Sequence, residues 1–312
     1  MMSDPKSGVQ MARETNGRGE FVRQRSAYRD FVVAEPAGEF PAVPGRYHLY
    51  VSYACPWAHR TIIVRRLKRL ETVISMTIVD PIRDERGWAF TDSPGCGPDP
   101  VNGFRFLAEA YAATDPAFDH RVTVPVLWDR ERRRIVNNES SEILRMLNSE
   151  FDAWGDPGLD LYPEALRVEI NAVNERIYAD VNNGVYRCGF AATQSAYAAA
   201  FERLFTALDW LEQRLGRHAF LVGERITEAD WRLFTTLVRF DAVYVGHFKC
   251  NLRRIADYPN LSRYLGKLYR MPGIGATVNM DHIKRHYYET HRSLNPLGIV
   301  PLGPEIDFKT LE

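Results

Sequence analysis

The sequence predicts an α/β domain followed by an all-α domain, and three observations carry that reading. Short runs rich in β-branched and aromatic residues fall at 47–51, 72–80 and 122–128, and residues 132–135 lead into a last strand. Beyond Asp156-Pro157-Gly158 such runs vanish and apolar residues recur at helical spacing instead. The length, 312 residues, suits about two domains. The expected organisation is an N-terminal arm over 1–40, an α/β domain over 41–150, and a helical domain with a C-terminal tail over 158–312. No internal repeat is visible.

Tyr47 to Val51 reads as the first strand, with Pro44-Gly45 turning the chain into it. Cys55 then precedes Pro56, a residue at home in the first turn of a helix because its missing N–H has no partner to lose. Ile63, Leu67 and Leu70 continue at helical spacing. The next strand, over 72–80, makes a strand–helix–strand unit, which implies a parallel pair with a right-handed crossover. Residues 80–120 form a long connection, rich in turns around Asp92-Ser-Pro-Gly-Cys-Gly-Pro, with a short helix expected over 104–113. Connections of that length tend to be functional or disordered. Pro125 interrupts the run 122–128 and belongs at a strand start or bend, since it cannot donate to a sheet ladder. After a charged turn and a last strand, Asn137-Asn-Glu139-Ser140-Ser141 leads into the periodic Ile143, Leu144 and Leu147. Serine is expected to cap that helix.

In the second half, 162–182 and 193–215 each read as one helix, the latter with Phe201, Leu204, Phe205, Leu208, Leu211 and Leu215 on one stripe. Thr227, with Asp230 three residues on, starts a third in near capping-box form. A fourth begins near Tyr258-Pro259 and stops before Pro272-Gly273.

Lysine plus arginine (40) balances aspartate plus glutamate (40), so nothing in the charge points to nucleic acid or an anionic membrane. No apolar run approaches the roughly 20 residues of a membrane helix. Four cysteines, Cys55, Cys96, Cys188 and Cys250, are too few for a disulfide framework in so long a chain, and a reducing, cytoplasmic setting is expected. His282, His286 and His291 have no partners at metal-binding spacing, so no metal is expected. Cys55 stands apart from the other thiols. A thiolate at a helix mouth faces unpaired N–H groups and the positive end of the helix dipole, which lowers its pKa, and His59 and Arg60 could push the same way. The bland reading, a buried inert cysteine, fits that position poorly.

Ser52-Tyr-Ala-Cys55-Pro-Trp-Ala-His-Arg60 resembles the active segment of xi-class glutathione transferases, the glutathionyl-hydroquinone reductases. The likeness extends from about Phe21 to Pro296. It includes Gly223-x-x-x-Thr-x-Ala-Asp230, Glu139-Ser140, and the tyrosine segments around Tyr186 and Tyr287. It implies a thioredoxin-like domain followed by the all-helical glutathione-transferase domain, with glutathione as co-substrate and a homodimeric assembly. Ala58 holds the place of the second cysteine of a dithiol motif, so the chemistry is monothiol.

The resemblance also implies roles for particular residues. Val124, before a cis-proline, would offer its backbone to the cysteinyl part of glutathione. Glu139 would take the γ-glutamyl ammonium, Ser140 and the helix N-terminus its carboxylate, and Arg121 a glutathione carboxylate. Trp88 would contact glutathione, although anchoring its own loop explains it nearly as well. Tyr186 and Tyr287 would hydrogen-bond the quinol oxygen, where plain packing is the alternative. The rival readings are an omega-like thiol transferase or dehydroascorbate reductase, which needs no tyrosine pair, and a non-catalytic interaction module, which would not need Cys55 and Glu139-Ser140. The physiological quinone is not written in the sequence.

Overall fold

The computed structural model describes Gln10 and Glu14–Leu311. Tyr47–Val51 forms the first strand (β1), and all five residues are buried. A strand without an exposed position suits the interior of a sheet, and β1 is flanked on both sides. Ser75–Ile78 (β2) pairs with it in parallel, Val126–Asp129 (β3) pairs with it antiparallel, and Arg134–Asn137 (β4) pairs antiparallel with β3. The order is β2-β1-β3-β4. The helix Pro56–Leu67 (α1) makes the crossover from β1 to β2 and packs against Ser140–Ser149 (α3), while Ala108–Thr114 (α2) packs against β4.

Two strands start later than the composition suggests. Residues 72–74 are consumed in the turn that closes α1, where the amides of Val73 and Ile74 both donate to the Leu70 carbonyl. The run at 122–128 enters the ladder only after Pro125, at Val126. The last strand, into which 132–135 leads as expected, runs over Arg134–Asn137. The long connection is ordered by two buried aspartates. Asp80 accepts from the Thr91 and Ser93 hydroxyls at 2.7 and 2.8 Å. Asp99 accepts from the amides of Val101, Asn102 and Phe104 and from the Tyr50 hydroxyl.

The helical half comprises Arg167–Ile177 (α4), Gly184–Gly189 (α5), Gln194–Leu215 (α6), Glu228–Arg239 (α7) and Pro259–Tyr269 (α8). The expected helix over 162–182 is segmented: a 3₁₀ turn, Glu164–Leu166, leads into α4, and a π-helical turn, Tyr178–Asn182, follows it. Thr193 caps α6, its hydroxyl accepting from the Ala196 amide at 3.2 Å. The α6 stripe is buried as expected except at Phe201, which is half-buried against Phe205.

Contacts divide the chain into two units. The first contains residues 24–159 and 279–290; the second contains 14–23, 160–278 and 291–311 among the described residues. This differs from the expected blocks in two places. Residues 279–290, which hold the short helix Met280–Arg285 (α9) and a π-helical turn, His286–Thr290, join the α/β unit instead of the helical one. His282 Nε2 lies 2.7 Å from the Pro94 carbonyl, and Thr290 Oγ1 accepts the Arg83 amide at 3.1 Å. Conversely, residues 14–23 of the expected arm join the helical unit, where Ala192 donates to the Gly19 carbonyl and Thr193 to that of Arg18. The rest of the arm beyond Gln10 that precedes Glu14 lies outside the described residues. No helix among the described residues is long and apolar enough to cross a membrane.

Candidate active site

Cys55 occupies the N-cap position of α1 with extended backbone angles (φ −78°, ψ 120°). Its carbonyl accepts the first intrahelical bond from His59 at 3.0 Å, and its amide donates to Ser52 at 3.2 Å. Ser52 Oγ in turn accepts the Ala54 amide, which tightens the loop from β1 into the helix. Pro56 follows at the first helical position. Cys55 is 9% exposed as a residue, and its thiol lies 3.6 Å from the Val124 carbonyl, to which it donates. The Val124–Pro125 peptide is cis. The sequence reading of these two residues therefore converges on one spot.

The start of α3 differs from expectation. Its N-cap is Glu139, not a serine: the Glu139 carboxylate accepts the Ser141 amide at 3.1 Å and the Ser141 hydroxyl at 2.8 Å. Ser140 is the first helical residue, buried, with Oγ 3.5 Å from Arg60 Nη1. The Ser26 hydroxyl donates to the other Glu139 oxygen at 2.9 Å. Burial alone would raise the Glu139 pKa. The bonds from Ser141 and Ser26, with the nearby Arg60 charge, outweigh it and hold the carboxyl below its ordinary value. Its stabilising charge is thus complete above the usual carboxylate range and is lost only as pH falls through that lowered value.

Arg60 is buried, with its guanidinium 4.4 Å from the centre of the Trp57 ring. It lies against Ser140 and Trp57, and its charge acts on Glu139. Arg121 is half-buried, and its backbone is held on both sides by one side chain: Gln24 Nε2 donates to its carbonyl and Gln24 Oε1 accepts its amide, each at 3.1 Å. Gln24 and Ser26 are site-supporting residues that local sequence reasoning missed, and the Arg60 link to Ser140 and Glu139 was not foreseen either. Gln24 and Ser26 both lie in the arm, about a hundred residues from what they hold.

Trp88 is buried and stacks on His286, with ring centres 5.0 Å apart and planes at 17°. Its carbonyl accepts the Leu107 amide. Tyr287 follows His286 in the π-helical turn and is also buried. Cys55, Trp88, Arg121, Val124, Glu139, Ser140 and Tyr287 all belong to the first unit.

Tyr186 belongs to the second. It sits on α5, half-buried among Phe21, Phe190, Tyr244 and Phe248, with the Arg23 guanidinium 4.6 Å from its ring centre. Gly189 permits that packing, because a Cβ there would meet the Phe248 ring at 2.1 Å. Among the described residues, no group of three or more His, Cys, Asp or Glu side chains is arranged to hold a metal ion.

Two family models match the chain: the glutathione S-transferase N-terminal domain over residues 54–150 and the C-terminal domain over 194–267. The glutathionyl-hydroquinone reductase PcpF of Sphingobium chlorophenolicum is 55% identical over 286 residues, covering 92% of this chain and 90% of its own. The glutathionyl-hydroquinone reductase YqjG of Escherichia coli is 52% identical over 293 residues, covering 92% and 89%. The glutathione-bound structure of YqjG aligns with a TM-score of 0.88 at 51% identity over 91% of this chain and 94% of that one. The xi glutathione S-transferase of Phanerochaete chrysosporium aligns with a TM-score of 0.92 at 49% identity over 96% and 97%. The chain belongs to the glutathionyl-hydroquinone reductases, the xi class of the glutathione S-transferase family.

Proposed function

We propose that the chain reduces glutathionyl-hydroquinones to hydroquinones at the expense of a second glutathione. The Cys55 thiolate attacks the glutathione sulfur of the thioether. The carbon–sulfur bond breaks, its electron pair passes to the ring carbon, and that carbon takes a proton as the hydroquinone leaves. The product left on the protein is a Cys55–glutathione mixed disulfide. A second glutathione thiolate attacks the glutathione sulfur of that disulfide, releasing oxidised glutathione and regenerating Cys55. The ring gains two electrons and a proton, and the two glutathiones supply the electrons as they are oxidised.

The observation that carries this reading is Cys55 at the mouth of α1, 3.6 Å from the Val124 carbonyl, with Ala58 in place of a second cysteine. The remaining roles follow the family likeness. Val124 offers its backbone to the cysteinyl part of glutathione as a strand edge would. Glu139 takes the ammonium, the α3 N-terminus with Ser140 takes the γ-glutamyl carboxylate, and Arg121 takes a carboxylate. Trp88 forms a wall of the glutathione site. Tyr287 and Tyr186 assist protonation and departure of the ring. Homodimeric assembly and a cytoplasmic setting belong to the same proposal; sedimentation and cell fractionation test them.

Purified protein supplied with glutathionyl-menadiol and excess glutathione is expected to release menadiol and oxidised glutathione one for one, with dehydroascorbate a much poorer substrate. Brisk disulfide exchange with no quinol release would give the omega-like reading instead.

Arg121→Ala and Glu139→Gln are each expected to weaken glutathione binding by about 1–3 kcal/mol, the range for charge-assisted contacts. Calorimetric titration reads this directly. Because Glu139 is also the α3 cap, its variant should lose about 1 kcal/mol of stability as well. A fall in melting temperature without loss of affinity would leave Glu139 a cap and nothing more.

A further inference from the structure

We propose that His286 is a positioning residue whose single ring sets both the Trp88 wall and the Tyr287 turn. The inference rests on the roles given above to Trp88 and Tyr287. His286 is buried, and its ring lies nearly parallel to the Trp88 indole at 5.0 Å. Its Nδ1 is 2.6 Å from the Pro81 carbonyl. A carbonyl oxygen only accepts, so Nδ1 carries the proton and donates it. Pro81 belongs to the segment leaving β2, the same segment that leads to Trp88.

The other end of the π-helical turn is fixed to that segment too. Thr290 Oγ1 accepts the Arg83 amide at 3.1 Å and lies 3.5 Å from His286 Nδ1. The first and last residues of the turn are therefore pinned to residues 81 and 83, and Tyr287 sits between them. The Tyr287 ring meets His286 edge-on, with centres 5.3 Å apart and planes at 79°. Any rotation of the His286 ring disturbs the indole on one side and strains the turn that carries Tyr287 on the other. π-Helical turns are rare and frequent at functional sites, and this one is locked by a donor and a stack. Catalytic groups must be held to within a fraction of an ångström, which is the work this ring does.

The two contacts separate by mutation. His286→Asn leaves an N–H where Nδ1 stood and removes the ring; His286→Phe keeps a flat ring and removes the donor. With glutathionyl-menadiol, His286→Asn is expected to raise KM about three- to tenfold while kcat stays within about twofold, because Trp88 loses its stacking face. His286→Phe is expected to lower kcat about three- to tenfold with KM little changed, because the Tyr287 turn is released. Exchange of a small mixed disulfide, run on the same preparations at saturating glutathione and disulfide, should keep its wild-type maximal rate in both and reports that Cys55 and the fold are intact. If His286→Phe does not fold, His286→Tyr takes its place as a ring with no donor at the Nδ1 position. Equal changes of KM and kcat in both variants, or no change in either, would overturn the proposal. Tyr287→Phe at the wild-type kcat would instead overturn the Tyr287 reading and take this link down with it.

Discussion

Cys55→Ala is expected to abolish glutathionyl-quinol reduction and exchange of a small mixed disulfide together, each by about 10³-fold or more, as removal of a nucleophile does. Tyr186→Phe and Tyr287→Phe are expected to slow quinol release by about 10²-fold or more and to leave exchange intact. The asymmetry follows from the leaving group. In exchange, a departing thiolate needs no proton, so a good thiolate and a glutathione site suffice. In quinol release, an aromatic carbon must accept both an electron pair and a proton, which is where a phenol helps. Rates for both substrates with the three variants read this out. If both activities fall alike in the phenylalanine variants, the tyrosines act on the structure and not on the ring.

Alkylation supplies a control without mutation. Iodoacetamide at mildly acidic pH should reproduce the Cys55→Ala loss. Burial, with the Asp80 charge, pushes the Cys96 thiol up to about 11, and burial with the neighbouring Cys188 thiol pushes Cys250 well up too. Those two thiols stay protonated and unreactive under the same conditions.

What the sequence made legible was local. The β1–α1 junction was readable because an apolar strand, a proline at the first helical position and the cysteine between them lie within ten residues. Thr227 and Asp230 were readable for the same reason. The α3 cap was not. A serine was the expected cap, yet Ser140 is already the first helical residue, and the two asparagines before Glu139 are committed elsewhere. Asn137 Nδ2 donates to Asp30 O and to Glu142, and Asn138 holds the Tyr28 amide and the Tyr111 hydroxyl. Asp30 and Tyr28 lie more than a hundred residues away, so local pattern cannot foresee that Glu139 is left to take the cap. The same limit hid the tail. His282 and His286 find the carbonyls of Pro94 and Pro81 across some two hundred residues, and nothing in His286-Tyr-Tyr announces those partners. The resemblance covered both regions without saying what held them.

The largest stability effect is expected at Asp230, where local motif and long-range packing meet. Its carboxylate is fully buried and accepts four hydrogen bonds. Oδ1 takes the Leu221 amide at 2.9 Å and the Tyr264 hydroxyl at 2.8 Å; Oδ2 takes the Thr227 amide at 2.7 Å and the Thr227 hydroxyl at 3.1 Å. One side chain thus closes the start of α7, fixes the loop before it and ties α8 to both. Asp230→Ala would leave two amides and the Tyr264 and Thr227 hydroxyls buried without this acceptor. Each such orphan costs about 1–3 kcal/mol, and because they share one acceptor their costs do not simply add. The total is expected to reach about 4 kcal/mol, at the upper end for a single substitution. Tyr264→Phe removes a donor and leaves Asp230 three partners, so it should cost only about 1 kcal/mol. Urea denaturation followed by tryptophan fluorescence, to which Trp231 next to the site contributes, measures both. If Asp230→Ala costs no more than Tyr264→Phe, the network is not what holds α7 and α8, and the buried apolar face of α7 carries that burden alone.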